Sequence, residues 1–127
     1  MITSDLRINN LVLYNRQITV VKNIAEKSIN LEFEPGTFRV TNWIPASEIE
    51  PLPITNDLLN KLGFKHHYTA HIYDTEAGRI FIKRKVNSFY LTIQNEYRDL
   101  ILIASVHQLQ NLMKSMFGIE LKYRLFL

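Results

Sequence analysis

Three histidines crowd one short stretch, "HHYTAHI", at His66, His67 and His71. Clustered imidazoles are a common start for a zinc site, so the spacing decides the matter. Along a strand, His67 and His71 would share a face about 13 Å apart, too far for one ion, and His66 would point the other way. A helix would bring 67 and 71 together, but Tyr68, Thr69, Ile72 and Tyr73 favour strand. There is no cysteine to complete a ligand set. The expectation is no metal and no cofactor, with three imidazoles on a half-exposed sheet.

Nucleophilic chemistry is no better supplied. Ser88, Ser105 and His107 offer hydroxyls and a base, but without the G-x-S-x-G turn that exposes a nucleophile. The missing cysteines also remove thiol nucleophiles and disulfides, which suits a reducing cytoplasm. Asp74 and Glu76 stand close together, in a segment that reads as a turn. All four glycines have structural uses, Gly36 and Gly78 in turns, Gly63 and Gly118 at helix ends. None is left to cradle a phosphate, and neither the dinucleotide nor the P-loop fingerprint occurs. Nothing here points to an enzyme.

Two groups remain as candidate surfaces. "SVHQLQNLMKSMFG", residues 105–118, reads as a helix whose apolar face is Val106, Leu109, Leu112, Met113, Met116 and Phe117. At about 100° per residue, His107, Gln110, Asn111 and Lys114 form a stripe opposite that face. Amides and imidazole both donate and accept hydrogen bonds. The stripe can therefore meet a partner protein, read base edges, or bond to loops of its own chain. The second group is Lys83, Arg84 and Lys85. With Tyr90, and with Tyr73 on the same sheet surface, it could neutralise phosphate while a base stacks. It could equally stay solvated as the chain enters a turn. The charge distribution is compatible with a polyanion: the net charge is +3, and residues 64–127 hold nine Lys or Arg against five Asp or Glu.

The surrounding pattern describes the scaffold. With 127 residues, a single domain is the default, 1–127. Residues 1–44 are β-rich. Leu11 to Tyr14 form an apolar run, "NR" at 15–16 can turn the chain, and Ile18, Val20 and Ile24 follow. Ile29, Leu31 and Phe33 alternate with polar residues, "EPGT" at 34–37 is a turn, and Phe38 to Ile44 make a fourth strand. Four short strands with tight turns suggest a small SH3-like barrel. Residues 45–53, "PASEIEPLP", hold three of the four prolines and read as an extended connector. Residues 54–127 begin with a short helix, capped by Thr55 and ended by Gly63. A four-stranded antiparallel meander follows: "HHYTAHIYD", "RIFIK", "SFYLTIQ" and "LILIA", turning at 74–78, 85–88 and 95–99. It packs on the helix at 105–118, which opens with a Ser105/Gln108 capping box and closes at Gly118. The tail "ELKYRLFL" alternates and could add a last strand. The fold class expected is α+β. The longest apolar run, "LILIA", is far too short to cross a membrane.

Three blocks carry a resemblance: "DLRINNLV" near the start, "IEPLPITNDLLNKLGF" in the middle and "VHQLQNLMKSMFGIEL" near the end. They resemble a family of small bacterial proteins, often encoded in prophage or mobile-element neighbourhoods. Its blocks usually look like "LRIGNLV", "PIPLTEEWLLKFGF" and "VHQLQNLYFALTGEEL". The "VHQLQNL" block is the most specific. Asn10 stands in the usual region of the family's "GN", and Lys114-Ser115 replaces more apolar residues. The blocks cover about a third of the chain, in matching order. The resemblance carries no activity with it, but implies a phage- or element-encoded accessory role. The leading expectation is a non-catalytic, cytoplasmic interaction module. It would meet a partner protein through His107, Gln110, Asn111 and Lys114, with self-association a further option. The alternative is nucleic-acid binding through Lys83, Arg84, Lys85 and Tyr90.

Overall fold

The structure, a computed structural model, describes residues 5–33, 40–76, 78–93 and 100–123. The expected turns at 34–37 and 95–99 and the end of the tail lie outside the described residues. The architecture is α+β. The first sheet contains β1 (Leu11–Tyr14), β2 (Gln17–Ile24), β3 (Ser28–Phe33), β4 (Val40–Pro45) and β5 (Glu50–Pro51), in the order β4-β3-β2-β1-β5. The second contains β6 (Lys65–His67), β7 (Ala70–Thr75), β8 (Gly78–Lys85), β9 (Ser88–Ile93) and β10 (Ile101–Ile103), in the order β10-β9-β8-β7-β6. Neighbouring strands in both are antiparallel. Helix α1 (Asn56–Lys61) joins the sheets in sequence, and α2 (Val106–Phe117) follows the second.

β1 explains the unbroken apolar run near the start. Leu11 and Leu13 point into a core shared with α1, α2 and the second sheet. Val12 and Tyr14 point to the opposite face, into a smaller core with Val21, Ile29, Leu31 and Ile44. A strand buried on both faces has no polar positions to alternate. The β1–β2 hairpin closes through Asn15 and Arg16, both at positive φ (48° and 63°), the conformation of a two-residue type I′ turn. Asn9 sits at φ 78°, a left-handed position that Gly or Asn adopts most readily.

The connector at 45–53 does more than span a gap. Ala46–Glu48 forms a 3-10 turn, and Glu50–Pro51 pairs with Leu13 and Val12 as β5. Proline is tolerated there because β5 is an edge strand. β4 and β5 are the two edges of this sheet, and among the described residues no ladder joins them. The sheet is open.

The meander has five strands rather than four. "HHYTAHIYD" is not one strand: the chain reverses at Tyr68-Thr69, with Tyr68 at φ 56°. Neither residue is a turn former, so composition gives no warning of the break. Both helices end as expected. Thr55 Oγ1 accepts from Leu58 N–H at 3.1 Å, and Ser105 Oγ accepts from Gln108 N–H at 3.4 Å. Gly118 takes φ 68°, with Ile119 N–H reaching back to Met113 C=O. The first N–H of α2, on Val106, goes to Leu52 C=O of the connector at 2.9 Å. After Gly118 the chain carries no strand as far as Tyr123, and Leu121 is buried in the shared core.

Candidate functional site

The polar stripe of α2 does not face open solvent along its length. His107 and Gln110 are 5% and 3% exposed, Asn111 is half-buried and Lys114 alone is fully outward. The covering segment is the chain start, Asp5 to Leu11. Gln110 Nε2 donates to Asn9 C=O at 3.0 Å and Leu121 C=O at 3.2 Å. Its Oε1 accepts from Leu11 N–H at 2.8 Å and from Asn10 Nδ2 at 3.5 Å. Asn111 Oδ1 accepts from Arg7 Nε at 2.7 Å and Asn10 Nδ2 at 2.9 Å, and its Nδ2 donates to Asp5 C=O at 2.6 Å. Asn10 Oδ1 in turn accepts from Arg7 N–H at 2.7 Å. This network holds the first sheet to α2 across about a hundred residues of sequence. Helical spacing placed these residues opposite the apolar face, but it carries no information on a distant segment laid over them.

Asp5, Arg7 and Asn10 were absent from the sequence-based site. The two halves of the clasp lie in two short stretches of the sequence, "LRINNLV" and "VHQLQNL".

Ser105, His107 and Asp5 form a chain of hydroxyl, imidazole and carboxylate. Ser105 Oγ lies 3.2 Å from His107 Nδ1, and His107 Nε2 lies 3.2 Å from Asp5 Oδ2. A hydrolytic triad has the same three groups, but its nucleophile must face a substrate cavity. Ser105 is buried, its Oγ takes the Gln108 amide, and it does not line the adjoining cavity. The chain is built as a helix cap extended into the clasp.

That cavity is a groove of about 470 Å³ between the chain start, α2 and β10. Ile101 and Leu112 give it an apolar lining, and Asp5, Arg7, His107 and Asn111 provide hydrogen-bonding groups. Of the four stripe residues, His107 and Asn111 line the groove. Gln110 is committed inside the clasp, and Lys114 stands outside the lining. Gln108 departs from the expected capping box. Its side chain donates to Leu102 C=O at 3.2 Å and accepts from Ala104 N–H at 2.9 Å, rather than bonding Ser105 N–H. Among the described residues β10 is an edge of the second sheet, and Gln108 bonds backbone groups in it and just after it, where a neighbouring strand would pair.

The basic group divides between the two faces of the second sheet. Cross-strand register puts Lys83 opposite Tyr90 and Lys85 opposite Ser88, with Lys65 and His67 on the same face through Ile72 and Ala70. Arg84 pairs with Phe89 on the other face, its guanidinium 5.9 Å from the ring centroid. Tyr73 also lies on that other face, packed edge-on to Phe64 at 5.2 Å, so it does not share a surface with Tyr90. The extra hairpin changes the histidines too. His66 and His71 are direct cross-strand partners, stacked at 4.5 Å with ring planes 6° apart. Burial, and then the neighbouring His66, push the His71 pKa below the ordinary 6.5. Among the described residues, no group of three or more His, Cys, Asp or Glu is arranged to hold a metal ion. No described helix is long and apolar enough to cross a membrane.

No family model, curated protein or solved structure matches the chain.

Proposed function

We propose that this chain is a non-catalytic interaction module, encoded by a phage or mobile element, that holds an extended segment of a partner protein in the groove beside α2. The observation that carries this reading is the composition of the groove. An apolar lining from Ile101 and Leu112 sits beside polar groups already fixed in place by the clasp. An apolar side chain would be buried against Ile101 and Leu112, while a peptide backbone has donors and acceptors to meet. Lys114 and Ser115 stand exposed on α2 beside it. The mobile-element origin rests on the three sequence blocks, and the cytoplasmic location on the cysteine-free chain. An SH3-like character for the first sheet is supported by its strand order and by the 3-10 turn between β4 and β5.

A photo-crosslinker placed at Ser115 tests the groove, with one at Glu48, outside its lining, as a control. The expected result is a partner captured from position 115 alone and lost on Leu112→Glu, with the variant still unfolding cooperatively. Equal capture from both positions, or capture indifferent to Leu112→Glu, overturns the assignment.

A second reading is favoured by one specific observation, the Lys83–Tyr90 pairing on a face that also carries Lys65, His67 and Lys85. That face could take single-stranded nucleic acid, Tyr90 stacking a base and Lys65 and Lys85 meeting phosphate, whereas the Lys83 ammonium nitrogen is buried. Arg84 belongs to the opposite face and has no part in it. Binding of an oligonucleotide would then weaken with salt, and Lys85→Ala would lower the log–log slope by about 0.7. No binding at low salt ends this reading.

A further inference from the structure

A second cavity, of about 310 Å³, opens on the face of the second sheet opposite Lys83 and Tyr90. His66, Thr69, His71, Arg84 and Phe89 line it, with Asn56 from α1. The register assembles them: His66 is opposite His71, and Arg84 is opposite Phe89. The lining thus contains two imidazoles and a guanidinium, and no carboxylate. Among the described residues no carboxylate pairs with Arg84, whose guanidinium instead lies over the Phe89 ring. His71 is only 4% exposed, and among the described residues its Nε2 has no hydrogen-bond partner. A buried nitrogen without a partner is costly, and native structures rarely keep one without a use.

We infer that this cavity binds a small oxyanion, a phosphate or carboxylate group carried by a small molecule. Arg84 supplies the fixed positive charge and a planar fork of N–H donors, the arrangement that matches two oxygens of one anion. His66 and Thr69 stand beside it as further donors, and His71, stacked on His66, also lines the cavity. Phe89 holds the guanidinium in place and offers an apolar wall for the organic part of the ligand. Nothing in the proposed groove beside α2 takes part, so the two sites stand or fall separately.

Protonation gives the site a readout. The charged or titratable groups of the cavity are His66 from β6, His71 from β7 and Arg84 from β8; α1 brings the neutral Asn56, and β9 brings Phe89. Burial and His66 disfavour the charged form of His71, and a bound anion opposes both effects. Binding therefore draws a proton onto His71, and affinity rises as pH falls.

The test is a titration of the full chain with inorganic phosphate, and separately with acetate, followed by NMR of the imidazole resonances. The expected result is a saturable shift of His66 and His71 with at least one anion, with an upward move of the His71 titration midpoint. Arg84→Ala, at an exposed position, is expected to weaken that binding roughly tenfold or more without altering the fold. Preference for phosphate or for acetate identifies the anion class. No saturable shift with either anion overturns the inference. So does a shift that survives Arg84→Ala at full strength, since the anion would then sit elsewhere.

Discussion

Gln110 shows how one amide can be committed completely. Its two ends serve three backbone groups, on Asn9, Leu11 and Leu121, and one side chain, Asn10. Gln110→Ala takes this partner from the three backbone groups, while Asn10 keeps its bond to Asn111, and we expect a loss of about 2–4 kcal/mol in urea unfolding. An exposed glutamine would cost nearly nothing, so the experiment separates a clasp from a docking surface. Ser105 makes a different case. As the N-cap of α2 its loss in Ser105→Ala should cost about 1 kcal/mol. Hydrolysis of an activated ester by the wild-type chain should stay at the buffer background, and the variant should match it. Ser105-dependent turnover would convert the Ser105–His107–Asp5 chain into a working triad.

Two elements carry features that their own sequences conceal. The β8–β9 turn places Val86 at φ 60° and 90% exposed, although a β-branched residue is poorly suited to that conformation. Val86→Asn keeps the turn and relieves the strain, and a gain of about 1 kcal/mol in stability is expected from thermal unfolding. Among the described residues β10 is an edge of its sheet, and Gln108 bonds the Leu102 C=O within it and the Ala104 N–H just after it. Gln108→Ala should cost little stability, because the freed groups reach water. It should nevertheless produce concentration-dependent association in sedimentation experiments, as exposed strand edges pair.

At the level of the whole molecule, two hydrophobic clusters meet at β1, and the clasp ties the first sheet to α2. Stability should then depend on pH through His71. Its pKa is lowered in the folded chain, so the unfolded chain binds the proton first. Stability is full above the ordinary 6.5 and falls as pH drops below it, until the folded state's own lower pKa is reached. Urea unfolding across this range should show that slope, and His71→Gln should flatten it. Phosphate or acetate, bound as inferred, would reduce the same slope in the wild-type chain.

Local chemistry determined a good part of this protein. The α+β class, both helix starts and ends, the Asn15-Arg16 turn and the apolar face of α2 follow from periodicity, caps and turn residues, which act within a few positions of one another. The reversal at Tyr68-Thr69 did not follow, because pairing across the sheet overrode two poor turn residues. With it went the geometry of the histidines, from opposite faces of one strand to a stacked cross-strand pair. The fate of His107, Gln110 and Asn111 was equally hidden. An amide facing away from a helix's apolar side can meet water or another segment, and spacing along α2 is the same in both cases. The folded chain brings Asp5 to Leu11 over that side, and contact between segments about a hundred residues apart is settled only by how the two sheets pack.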